Sequence, residues 1–107
     1  MSSATQRTLR KLRADGYTCG IVEKWIPQAK RRVDLFGIID IVAIKPGETL
    51  GVQSTTYSNV SAHVKKAKAE PKLADWLSAN NRFQVWGWKK GARGEKALRV
   101  VEINASA

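Results

Sequence analysis

Cysteine is almost missing from this chain: Cys19 is the only one. A lone cysteine excludes an internal disulfide, and no metal-ligand spacing surrounds it. It reads as a small buried apolar residue, not a catalytic thiol, because the single histidine, His63, falls in a different predicted element. Long apolar runs are missing too. Nothing approaches the roughly 20 apolar residues of a membrane span. The opening residues, MSSATQRTLRKLR, contain no apolar signal core. The expectation is a cytoplasmic protein with no membrane partner. Acidic side chains are also scarce, 9 against 19 Lys and Arg, which leaves a formal charge of +10 on 107 residues. A field of that sign gathers polyanions, nucleic acid first among them. Charge alone does not separate a nuclease from a ribosomal or architectural protein.

What the chain does have is an ordinary globular composition, 43% hydrophobic and 26% charged. Its length suits one domain over residues 1–107, burying roughly two-thirds of the unfolded surface, with residues 103–107 a loose tail. Residues 3–15 read as a helix capped by Ser2 or Ser3 and ended by Gly16, with Leu9 and Leu12 on its inner face. Its outer face carries Arg7, Arg10, Lys11 and Arg13. Residues 17–25 have the apolar density of a strand; Pro27 stops it, and a basic loop over residues 28–32 holds Lys30, Arg31 and Arg32. Residues 33–44 form a long β-rich run interrupted at Gly37. KPGE is a hairpin turn, and TLGVQSTT is the returning strand. A helix from Ser58, capped by Ser or Asn, places Val60, Val64 and Ala67 on one stripe and carries Lys65, Lys66 and Lys68. A second helical stretch starts at Pro71 with Leu73, Trp76 and Leu77 inward, and two strands close the chain. The order α-β-β-β-α-β-β predicts an α/β domain: one mixed central sheet with flanking helices.

The stretch DIVAIKPGETLGVQST carries the candidate chemistry. Alternate residues of a strand share a face, so Gln53 and Thr55 point the same way, and across the hairpin Asp40 can face them. An unpaired carboxylate in so apolar a strand is costly, so Asp40 needs a partner or a metal. Hydrogen bonds from loop amides at a sheet edge would also serve. Glu23 and Asp34 lie close in sequence and either can complete an acidic site, or pair with Lys24 or with Arg31 and Arg32. Hard oxygen donors gathered at one point suit Mg²⁺.

Element order and spacing resemble the PD-(D/E)XK nuclease superfamily, in particular archaeal-type Holliday-junction resolvases and small phage-encoded relatives. The likeness runs from the first helix through GYTCGIVEKW and RRVDLFGIIDIVAIKPGETLGVQST to RFQVWGWKK. Asp40 matches the family aspartate, and Gln53-Ser54-Thr55 stands where Glu-x-Lys belongs. The resemblance implies a restriction-endonuclease-like fold and a Mg²⁺- or Mn²⁺-dependent DNA endonuclease acting on branched DNA as a homodimer, in a bacterial or phage-infected cell. It assigns Asp40, Gln53 and Glu23 to the metal and Asp34 as a further acid. Thr55 occupies the lysine position, and Lys65, Lys66 or Lys24 is the expected stand-in for that lysine. Arg7, Arg10, Lys11, Arg13, Lys30, Arg31, Arg32, Lys65, Lys66 and Lys68 would hold phosphates. Three departures stand out: Gln53 offers a neutral oxygen, Thr55 brings no positive charge, and the first helix has no Glu. The alternative on the same fold is a DNA-binding module without catalysis. A basic RNA-binding protein of another fold would leave Asp40 unexplained.

Overall fold

A computed structural model describes residues 3–93 and 97–104, apart from the side chains of Ser3 and Arg32. The expected Ser2 cap and the end of the expected tail, residues 105–107, lie outside it. Helix α1 spans Ser3–Ala14. It buries Ala4, Thr5, Thr8, Leu9 and Leu12, a stripe at helical spacing. Its end is chemically determined. Gly16 takes φ +95°, its N–H donates to the Arg13 carbonyl, and the Tyr17 N–H donates to the Leu12 carbonyl. This is the reciprocal bonding that a left-handed glycine just past a helix permits.

Five strands form the main sheet in the order β1 (Thr18–Ile21), β4 (Ile41–Lys45), β5 (Glu48–Thr56), β6 (Arg82–Trp88), β7 (Leu98–Ile103). All neighbours are antiparallel except β5 and β6, which run parallel. A parallel pair needs a crossover. Here it is a 3-10 turn at Tyr57–Asn59, helix α2 (Val60–Lys68) and helix α3 (Pro71–Ser78). The fold is therefore α/β with a mixed sheet and helices on both faces. On one face Leu9 and Leu12 of α1 pack on Ile41, Ala43, Leu50, Val52 and Trp86. On the other, Val60, Ala67 and Leu73 pack on Ile38, Ile39, Phe83, Val85 and Ile103.

Gly87 sets how closely α2 approaches. A Cβ built there would lie 2.1 Å from Val60 Cγ2 and 3.0 Å from the Thr56 carbonyl oxygen. The substitution Gly87→Ala is expected to cost about 2–3 kcal/mol by overpacking, seen as a lower urea midpoint. An unchanged midpoint would mean that Val60 is not seated against β6.

Several local expectations need correction. Residues 17–25 are not one strand. β1 ends at Ile21, and the chain then leaves the sheet to form β2 (Lys24–Ile26), which pairs with β3 (Arg31–Val33) in a separate two-stranded ribbon. The basic loop is thus partly strand, and five strands, not three, precede α2. The run 33–44 is broken by a tight turn, with Phe36 at φ +56° and Gly37 at +75° and an isolated bridge between Leu35 and Ile39. Asn59 stands at the N-cap of α2 without a side-chain hydrogen bond, because the preceding 3-10 turn already leads the backbone in. Cys19 is half-buried, not fully buried, with its thiol pushed up chiefly by burial.

Candidate metal centre

Four residues meet because each stands one step beyond a strand pairing. Glu23 and Asp34 flank the Lys24–Val33 pair that closes the ribbon. Asp34 and Asp40 flank the Leu35–Ile39 bridge. Asp40 and Gln53 flank the Ile41–Val52 pair, and the Asp40 N–H donates to the Val52 carbonyl. Register alone thus carries Glu23, Asp34, Asp40 and Gln53 to one place at the rim of the sheet. One carboxylate oxygen from each of the three acids lies within 4.8 Å of the others. A third of the chain's nine acidic residues therefore converge in a protein of charge +10.

Asp40 is the inner member, 6% exposed. Its Oδ2 accepts from the Ser54 backbone N–H at 2.8 Å and from Gln53 Nε2 at 3.1 Å. Its carboxyl is pushed up from 3.8 to about 8, first by burial and then by its hydrogen bond to Asp34. The charges of Asp34 and Glu23 add to the rise, and the Ser54 N–H opposes it. Two carboxyls sharing a proton behave this way, since close like charges cannot both ionise cheaply. Gln53, 5% exposed, also reaches Asp34 Oδ2 at 3.4 Å. Facing two carboxylates, the amide turns its donor end to them. The carbonyl Oε1, the oxygen expected as a ligand, is the opposite end of that group.

The site is braced from the other face of the sheet. Thr8 of α1 is fully buried and donates to the Ala4 carbonyl at 2.8 Å. It accepts from Ser54 Oγ at 3.1 Å and from Trp88 Nε1 at 2.7 Å. The residue whose N–H holds Asp40 is thereby tied to α1 and β6.

His63 borders the site. The charge of Asp34 reaches it and raises its pKa, but burial and then Lys66 outweigh this and hold it below the ordinary 6.5. Its Nδ1 is shut off from solvent with no hydrogen-bond partner. Sequence reading put His63 on the right helix without any spacing signal to connect it to Asp34. Lys65, Lys66 and Lys68 are all exposed on this helix, and Lys66 is the one whose charge bears on His63. Thr55 is buried on the face it shares with Gln53.

The expected phosphate-holding residues divide into two groups. Arg10, Lys11, Arg13, Lys30 and Arg31 are exposed, Lys11 lying 3.8 Å from Asp15. Arg7 is drawn inward: it donates to the carbonyls of Lys89 and Ala92 and lies 4.4 Å over the Trp88 ring. At the far end of β5, Glu48 and Glu102 are both engaged by Arg82, and Glu48 also accepts from the Tyr17 hydroxyl. Burial, and then that carboxylate, push the Tyr17 phenol up to about 12. These two acids hold the sheet together across β5, β6 and β7 and are not part of the cluster.

The donor set fits a hard divalent cation. It is built of carboxylate oxygens with an amide beside them, and Mg²⁺ and Mn²⁺ prefer oxygen ligands. Neutralisation by such a cation would relieve the crowding that keeps Asp40 protonated. Compared with known protein families, curated proteins and solved structures, the chain matches none. No described helix is long and apolar enough to cross a membrane.

Proposed function

We propose that this protein is a metal-dependent DNA endonuclease of the PD-(D/E)XK type, acting on branched DNA such as a four-way junction. The observation that carries this reading is the register-built cluster of Glu23, Asp34 and Asp40 beside Gln53, in a strongly basic chain. The order of elements supports it as well. A helix, antiparallel strands, a helical crossover and a parallel strand are what the resemblance implies, with Asp40 and Gln53 facing one another across the hairpin.

In this reading Glu23, Asp34 and Asp40 hold Mg²⁺ or Mn²⁺. Gln53 can turn its carbonyl inward by rotating its terminal amide, with no backbone movement. The cation supplies charge neutralisation at the scissile phosphate and an acidified water. Ser54 and Thr8 keep Asp40 in place. Lys66 contributes positive charge from α2, where Thr55 provides none, and His63 offers a nitrogen close to Asp34. Exposed Arg10, Lys11, Arg13, Lys30, Arg31 and Lys65 attract the phosphate backbone. Two copies acting together would match the two-fold symmetry of a junction.

One observation favours the alternative, a DNA-binding module that does not cut. Thr55 stands uncharged and buried at the position where the family places its lysine. Incubation of a labelled junction and a linear duplex with Mg²⁺, Mn²⁺ or a chelator separates the two. The nuclease reading expects cleavage with either metal and none with chelator. Tight binding with no cleavage under any divalent metal would leave the second reading.

A further inference from the structure

The β2–β3 ribbon stands apart from the main sheet, and its two feet are Glu23 and Asp34, two of the three clustered acids. Residues 24–33 contain Lys24, Lys30, Arg31 and Arg32 and no acidic residue. Lys24, Lys30 and Arg31 are exposed. Among them stands Trp25, at 52% the most exposed of the large apolar side chains described. The other three tryptophans are anchored through their indole N–H: Trp76 to the Arg82 carbonyl, Trp86 to Gln84, Trp88 to Thr8. A two-stranded ribbon is marginally stable by itself, so leaving a large indole in solvent there forgoes burial the ribbon would gain from.

Cationic residues interleaved with an exposed aromatic are the composition that holds unpaired nucleotides. The charges track the phosphates and the ring stacks on a base. Intact duplex gives such a ring nothing to stack on, because its base faces already cover one another. A gap, fork or strand crossover does. Trp25 lies two residues from Glu23, roughly 7 Å along a strand, so a base seated on it would sit beside the acidic cluster.

We infer that the ribbon is a clamp for unpaired nucleotides at a discontinuity in DNA. Trp25 stacks on a base, while Lys30 at the ribbon turn and Lys24 and Arg31, which the register sets on the opposite face from Trp25, draw the phosphate backbone to the ribbon. The inference rests on the nuclease reading for its place beside the cut, and on the ribbon's own chemistry for its ligand. The test is fluorescence anisotropy in chelator, with a labelled duplex and the same duplex carrying a short single-stranded gap. The wild type is expected to bind the gapped DNA more tightly. Trp25→Ala should weaken that binding about tenfold and leave intact duplex unchanged, while Trp25→Phe keeps most of the preference. Equal weakening on both DNAs, no weakening on either, or preferential displacement by RNA of the same sequence would overturn the clamp. So would a wild-type dimer that Trp25→Ala dissociates, because a second copy would then be the occupant. An unchanged thermal melt for Trp25→Ala shows that the fold is intact. The readout needs no metal, so absence of cleavage would sink the nuclease reading alone, and absence of gap preference the clamp alone.

Discussion

Asp40→Asn is expected to abolish metal-dependent cutting while DNA binding persists and the metal-free protein becomes more stable at pH 8. The first and the last of these outcomes have one cause. Asp40 is the innermost carboxylate of the cluster, held by the Ser54 N–H and Gln53 Nε2. The amide keeps an oxygen for the Ser54 N–H and removes a negative charge facing Asp34 and Glu23. A single electrostatic contact to a transition state is worth about 10²–10³ in rate, and losing the group that positions the cation should forfeit at least that much. Binding should survive because the exposed cations lie on α1, α2 and the ribbon. The sign of the stability change is the informative part. A merely structural Asp40 would make the substitution destabilising; a cluster strained by like charge makes it stabilising. Chemical denaturation in chelator distinguishes them.

Stability in chelator should fall as pH rises towards 8, the reverse of what most carboxylates give. Asp40 titrates near 3.8 when unfolded and at about 8 when folded. Between those values the folded protein keeps a proton that the unfolded chain has released, so raising the pH favours unfolding. The slope contributed by one such group reaches at most about 1.4 kcal/mol per pH unit. His63 works the other way at lower pH. Its folded pKa lies below 6.5, so it adds stability as pH rises towards that value. From pH 6.5 to 8 the Asp40 contribution outweighs what remains of the His63 one. Within this interval, the urea midpoint of the wild type should decline and that of Asp40→Asn should not. Millimolar Mg²⁺ or Mn²⁺ should flatten the wild-type decline, because a cation bound only by the folded state stabilises it and replaces the proton. A wild-type midpoint that rises through this interval would show that Asp40 is ionised in the folded protein.

The parts of the fold that depend on strong local chemistry were readable from the sequence. Leu9, Leu12 and Gly16 define α1, Pro46 and Gly47 the β4–β5 turn, and Pro71 the start of α3. The facing of Asp40 and Gln53 followed from strand alternation across a short hairpin. The ribbon did not. Its strands have only three residues each, too few for a two-residue period to register, and the basic run across residues 30–32 looked like a loop. The turn that unites Asp34 with Asp40 puts Phe36, a bulky residue, at positive φ. Phenylalanine is rarely found there, so the sequence marked an interruption at Gly37 but not a turn that begins at Phe36. His63 was hidden for another reason. Its place beside Asp34 depends on how the crossover lays α2 over the sheet, which Gly87 permits through a close approach to Val60.

Uptake of a cation by the three carboxylates at the sheet rim is the property on which the nuclease reading depends. Calorimetric titration of the intact chain with Mn²⁺ at pH 8 measures this directly. One ion per chain should bind with release of protons in the wild type, and Asp40→Asn should show neither heat of binding nor proton release. A wild type that binds no Mn²⁺ at millimolar concentration, or a substituted protein that binds it equally well, would contradict the account.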